Sequence, residues 1–156
     1  LLFAQAIVIF HVCYVRALQP KHRLGREIYW VLLVGTLGFS METFFFCAGF
    51  LYQTNPPALF SRLVLPPLWL FSLWLCFAVA LRTCLSFMFR TPLLSYCLVA
   101  LAIPGSYLAG TYLNNSVQIN EPHWLSLLLI TLSWILFLML LKQIKLRYFE
   151  DIFYDC

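Results

Sequence analysis

Long apolar runs separated by short polar punctuation organise the whole chain. The first runs from Leu1 to about Leu18 and is closed by Pro20 and the basic stretch Lys21-His22-Arg23-Leu24-Gly25-Arg26. The second runs from about Ile28 to Tyr52 and stops at Gln53-Thr54-Asn55-Pro56-Pro57, where proline lacks the amide a helix needs. The third begins near Leu65-Pro66-Pro67 and reaches Arg82, followed by a short segment over 83–90. The fourth covers about 91–113, the polar loop 114–121 follows, and Pro122 opens a fifth that ends near Leu141. A membrane-crossing helix needs about 20 mostly apolar residues. The pattern predicts an all-α polytopic membrane bundle of about five helices over 1–141 and a tail over 142–156.

Composition agrees. Of 156 residues, 63% are hydrophobic and 10% charged, with mean hydropathy +0.88. Soluble domains are about 45–50% apolar and about 25% charged, so a soluble globule, a disordered chain and a nucleic-acid module are excluded. The chain opens at Leu1 inside an apolar run without the basic start of a signal peptide, and a short natural N-terminus is expected to precede it.

The placement of charge gives an orientation. Arg16, Lys21, Arg23, Arg26, Arg82, Arg90, Lys142, Lys145 and Arg147 fall on one side of the predicted spans, and Arg62 alone on the other. This nine-to-one split puts the N-terminus outside and the C-terminus in the cytoplasm. The sequon Asn114-Asn115-Ser116 lies on the outer face. The tail, from Lys142 to Phe149, reads either as a stop-transfer flank or as an amphipathic segment at the headgroups. In the second case Lys142, Lys145 and Arg147 meet anionic lipid while Leu146 and Phe149 meet acyl chains.

Candidate chemistry is sparse. Cys13, Cys47, Cys76, Cys84, Cys97 and Cys156 form no CxxC pair and read as small buried hydrophobes, so neither a disulfide framework nor a zinc site is expected. With only His11 inside a run, haem ligation is not expected, and no cofactor is assigned. Glu42 is the acid deepest in an apolar run, where ionisable groups face the bundle interior or a wet cavity. Counting about 1.5 Å per residue puts Glu42 about 21 Å and Tyr107 about 24 Å above the inner face. Ser72, Trp69 and Ser106 fall at similar depth. Glu42, Tyr107 and Ser72 are therefore the candidate catalytic set, with Glu42 as proton donor or acceptor. The competing reading is a cross-helix hydrogen bond worth about 0.6 kcal/mol. His11 reads as a hydrogen-bond partner or a functional group near the level of Arg82, and Arg82 as a residue that snorkels to the surface or binds a lipid phosphate. Trp30, Trp69, Trp124, Tyr29 and Tyr112 read as interface anchors, and Phe44-Phe45-Phe46 as lipid-facing bulk. Gly35, Gly38, Ala48-Gly49 and Ala109-Gly110 would let helices approach closely, and Pro104-Gly105 would kink or unwind the fourth helix.

The segments Pro67-Leu68-Trp69-Leu70, Leu73-Trp74-Leu75, Phe77-Ala78 and Pro104-Gly105-Ser106-Tyr107-Leu108-Ala109-Gly110 follow Glu42 and Gly49 in order. Together they resemble the bacterial inner-membrane family known as domain of unknown function 2878. Its pattern is an acid and a glycine, then PLWLxxLWxxFA, a polar turn and GGPLSYxAG. The likeness covers about residues 30–112. Arg82-Thr83-Cys84 stands where the turn reads Asn-His-Ser, and Ile103 where the pattern has glycine. The resemblance implies a membrane fold and no reaction, and an association of such relatives with fatty-acid-modifying neighbours points toward lipid. A second likeness, of Ile9-Phe10-His11 with Phe44-Phe45-Phe46-Cys47-Ala48-Gly49-Phe50, is to acyltransferase-3-type membrane proteins. Three classes stand open: a lipid-handling protein, a structural or partner-binding membrane subunit, and a carrier of protons or small solutes. Membrane lipids and a membrane-protein partner are the expected partners, with no role for nucleic acid.

Overall fold

The computed structural model describes the backbone of residues 2–18, 21–54, 65–113 and 117–153. Pro56-Pro57, Arg62 and Asn114-Asn115-Ser116 lie outside the described residues, as do the side chains of Arg16, Lys21 and Arg23. The helices are α1 (Leu2–Leu18), α2 (Lys21–Cys47), α3 (Leu68–Arg82), α4 (Pro92–Leu113), α5 (His123–Tyr148) and the single turn α6 (Glu150–Phe153). A 3-10 turn, Ser86–Phe89, follows α3, and two short strands, β1 (Leu51–Gln53) and β2 (Val117–Ile119), complete the fold. The protein is all-α in class. Leu24–Cys47, Pro92–Leu113 and His123–Tyr148 are long and apolar enough to cross a membrane, and α3 is a shorter apolar helix. This is a membrane protein.

Three boundaries differ from the sequence pattern. The second helix starts at Lys21 rather than Ile28, and it stops at Cys47 rather than Tyr52. Gly49 ends it: its φ of 78° is left-handed, and its amide and that of Phe50 donate back to the carbonyls of Phe46 (3.2 Å) and Phe45 (2.9 Å). This is a Schellman closure, with Phe45 and Phe50 rings 6.3 Å apart as its apolar contact. Gly49 thus terminates a helix instead of allowing helix approach. The fifth helix continues past Leu141 to Tyr148, and Arg26 on α2 donates to the Tyr148 carbonyl. Cations at a helix C-terminus satisfy the last carbonyls and the helix dipole, so the basic residues extend this helix rather than end it.

By internal contacts the chain divides into two compact units. The first comprises 1–40, 67–90 and 141–156. In it α1 packs on α3. Gly35 and Gly38 lie against Leu75 and Trp74, so close that a Cβ on Gly38 would fall within the indole of Trp74. Trp30, fully buried, meets Phe89, Phe149 and Phe153 with ring centroids 6.2, 5.3 and 5.2 Å away, and its indole donates to the Ala78 carbonyl at 3.2 Å. Trp30 is therefore core, not an interface anchor. Phe149 is likewise buried rather than turned to acyl chains, because α6 folds Phe149, Ile152 and Phe153 inward, whereas Leu146 is exposed.

The second unit comprises 41–66 and 91–140. Its strands pair antiparallel, with Leu51 opposite Ile119 and Gln53 opposite Val117. The Asn120 side chain donates to the Gly49 carbonyl at 3.0 Å, so the end of α2 is held from the other strand's side. Phe45 and Phe46 are buried and only Phe44 is exposed, which corrects the reading of all three as lipid-facing. Successive residues of a helix lie about 100° apart, so a run of three cannot all face lipid. In α4, Ser95 and Val99 are buried and Ile103, Tyr107 and Thr111 half-buried, one stripe at four-residue spacing. Helix α4 runs unbroken through Pro104. A proline removes one backbone bond while the flanking turns keep theirs, so no local unwinding results. Among the described residues nothing lies within 4 Å of a Cβ built on Gly110, so none of them approaches the helix closely there. Cys13, Cys47, Cys84 and Cys97 are exposed and Cys76 half-buried; they sit off the packed stripes instead of inside them.

The tight Gly38–Trp74 contact predicts that Gly38→Ala destabilises the protein by about 1–3 kcal/mol. Trp74→Leu in the same chain should restore part of that loss, read from unfolding in detergent. A neutral Gly38→Ala would refute the contact.

Candidate functional site

The residues α2 buries recur every three or four positions: Glu27, Trp30, Val31, Val34, Gly35, Gly38, Glu42, Phe45 and Phe46. That spacing is one helix face, and it carries two acids. Each acid sits in a polar cluster within its own unit.

In the second unit, Glu42 is 3% exposed. The Tyr107 hydroxyl, from the inward stripe of α4, donates to Glu42 Oε1 at 2.5 Å. The indole Nε1 of Trp134, on the buried stripe of α5, donates to the same hydroxyl at 3.4 Å. The chain of donors runs from indole to phenol to carboxyl and ties three helices together. Chemically, it places an exchangeable proton between phenol and carboxyl, where only a short displacement separates the two oxygens. Depth matching brought Glu42 and Tyr107 together correctly; Trp134 was missed. Its signal was available, since Ser126, Ile130, Trp134 and Leu141 continue one helical face and Trp134 is far from either end of its run. Ser72 is buried on α3 and belongs to the first unit. Ser106 donates to the Ile103 carbonyl of its own helix at 2.9 Å, and Trp69, 40% exposed, belongs to the first unit.

In the first unit, Glu27 is 2% and Arg82 5% exposed. Arg82 Nε donates to Glu27 Oε1 at 2.8 Å, and its guanidinium lies 5.3 Å from the Phe153 ring. Arg82 therefore turns inward to a carboxylate, not outward to the surface or a lipid phosphate as expected. Charge in an apolar setting is held far better by an opposite charge and an aromatic face than by a long reach to water. His11 Nε2 stands 3.8 Å from Glu27 Oε2, and neither atom has a hydrogen-bond partner among the described residues. Among the described side chains of α1, His11 is the buried one, so that helix meets the cluster through an imidazole. Sequence reasoning missed Glu27 by leaving it in the loop beside Arg26. The available signal was a lone acid one helical turn before Val31, in phase with the apolar face.

Among the described residues, no group of three or more His, Cys, Asp or Glu side chains is placed to hold a metal ion. Of the basic residues expected at lipid, Arg147 is exposed, while Lys142 and Lys145 are half-buried.

Removing one partner of a buried ion pair costs about 3–5 kcal/mol, and replacing both by apolar groups is often neutral. Arg82→Met alone should therefore destabilise the protein by that order, and Glu27→Leu added to it should recover most of the loss. Additive losses in a double-mutant cycle would show that the two side chains do not act as a pair.

Searches for related proteins place these clusters in a family setting. The comparison with curated proteins and the comparison with solved structures return no match. No match supports the acyltransferase-3 resemblance. The model of one family, described as protein of unknown function (DUF2878), matches residues 1–140, which include both acids, Arg82, Tyr107 and Trp134. This all-α membrane chain belongs to the DUF2878 family.

Proposed function

We propose that the protein is a multi-pass component of a bacterial inner membrane that works on or beside membrane lipid, with Glu42 and Tyr107 as its proton-exchanging pair. Its N-terminus lies outside and its C-terminus in the cytoplasm. The observation that carries this reading is a carboxyl, 3% exposed in a helix apolar enough to span a membrane, with a phenol at 2.5 Å. Ionisable groups at such positions are rare and cluster at functional sites. Tyr107 positions the carboxyl, and Trp134 orients the phenol.

A second reading is a structural or partner-binding subunit. The observation in its favour is that indole, phenol and carboxyl already form a hydrogen-bond chain across three helices that needs no ligand. A helix α4 continuous through Pro104 favours these two readings over a carrier, which would use a half-helix opening.

Whole-lipid profiling of a deletion strain, complemented by wild type, Glu42→Gln or Tyr107→Phe, separates the two. Under the first reading the deletion alters lipid species and Glu42→Gln fails to restore them although the protein accumulates normally. Under the second, lipids stay unchanged, and Tyr107→Phe costs only about 0.6 and at most about 1.7 kcal/mol of stability. For topology, a reporter active only in the cytoplasm should work when fused after Cys156, and a periplasm-active fusion there would reverse the orientation.

A further inference from the structure

We propose that His11 and Glu27 form a binding site for one proton, and that this proton latches α1 to the rest of the first unit. The site shares no residue with Glu42 and Tyr107 and does not depend on the role given to them above.

Its components all lie in the first unit. Helix α1 packs on α3. Of its described side chains His11 is the buried one, while Ile7, Ile9, Phe10 and Tyr14 are exposed. Helices in lipid gain little from apolar burial against one another, so a polar contact weighs heavily in whether α1 stays. Among the described side chains of α1, the imidazole supplies that contact.

The imidazole stops short of its partner. His11 Nε2 is 3.8 Å from Glu27 Oε2, outside the range of about 2.7–3.2 Å for an N–H···O hydrogen bond. Both atoms are buried, and neither has a partner among the described residues. A buried polar atom left in that state is costly. The other carboxylate oxygen is already taken, since Arg82 Nε donates to Oε1 at 2.8 Å. When a neutral imidazole carries its hydrogen on Nδ1, two lone pairs confront each other across the gap. One proton taken from water onto Nε2 turns that opposition into a charge-assisted bond. The imidazolium then donates to Oε2, and one carboxylate bridges two cations. The site carries one positive charge more than before, and the Phe153 ring, 5.3 Å from the guanidinium, presents an aromatic face to it.

The other charged and titratable groups nearby stand differently. Lys145 lies over the same Phe153 ring at 4.8 Å. On α2, Arg26 and Tyr29 are exposed, and Arg26 donates to the Tyr148 carbonyl. On α3, Cys76 is half-buried, and Cys84 beyond it is exposed. The ionisable side chains at 16, 21–23, 151 and 154–156 lie outside the described residues, so the experiment must read His11 itself.

The full chain in nanodiscs, with His22→Gln and His123→Gln, leaves His11 as the sole histidine. Labelling with 15N-histidine then reports both ring nitrogens. Nitroxides on the exposed Cys13 of α1 and Cys84, with the other four cysteines replaced by serine, report the distance between α1 and the end of α3. Imidazole changes charge between about pH 5 and 8. From about pH 8 to about pH 5.5, both nitrogens should become protonated, and the ratio of short to long spin distances should rise about three- to twentyfold. His11→Gln should hold that ratio constant over the same range. If His11→Gln fails to fold, the wild-type measurements decide alone. A ring that stays neutral throughout, including one bonded through a neutral Nε2–H, overturns the site. Protonation without a change in distance, or an equal change in His11→Gln, overturns the latch.

Discussion

A carboxyl withdrawn from water has to find inside the protein what the solvent no longer supplies, and α2 carries two of them on its buried face. Each one dictates what must stand opposite. Glu27 requires a cation, and α3 supplies Arg82 from its last turn, where the helix dipole also favours positive charge. Glu42 requires a hydrogen-bond donor, and α4 supplies Tyr107 from the middle of an otherwise lipid-like sequence. Helices in lipid gain little from burying apolar surface against one another, because the acyl chains are as apolar as leucine. Polar obligations of this kind, and close packing such as that of Gly38 on Trp74, are what remain to set which helices meet and in what rotation.

Much of this was legible in the chain. Five apolar runs became helices α1 to α5, three of them long enough to cross a membrane, and rise per residue alone matched Glu42 to Tyr107, because depth in a helix is a linear function of position. Gly35 and Gly38 were readable as contact points, since they recur at one-turn spacing on the face that faces α3.

What was not legible depended on where helices begin and end. Glu27 looked like a loop residue because it directly follows the basic stretch 21–26, and only the start of α2 at Lys21 puts it in phase with Trp30 and Val31. The Phe44-Phe45-Phe46 run could not be assigned to faces without knowing that Gly49 turns the chain. Trp30 shows the general difficulty: a tryptophan near the end of an apolar run is the same in sequence whether it anchors a bilayer interface or fills a core. Here the deciding partners, Phe149 and Phe153, are more than a hundred residues away.

That distance has a consequence for how the protein is made. The segments of the first unit are interleaved with those of the second, and its aromatic core closes only with Phe149, Ile152 and Phe153. During synthesis, Trp30 emerges more than a hundred residues before Phe149 and Phe153, and it lacks its cover until they follow. A product cut after Tyr148 would keep every helix long enough to cross a membrane and still deny the first unit its closure. Exposed tryptophan alone would distinguish that product from one that carries Phe149, Ile152 and Phe153.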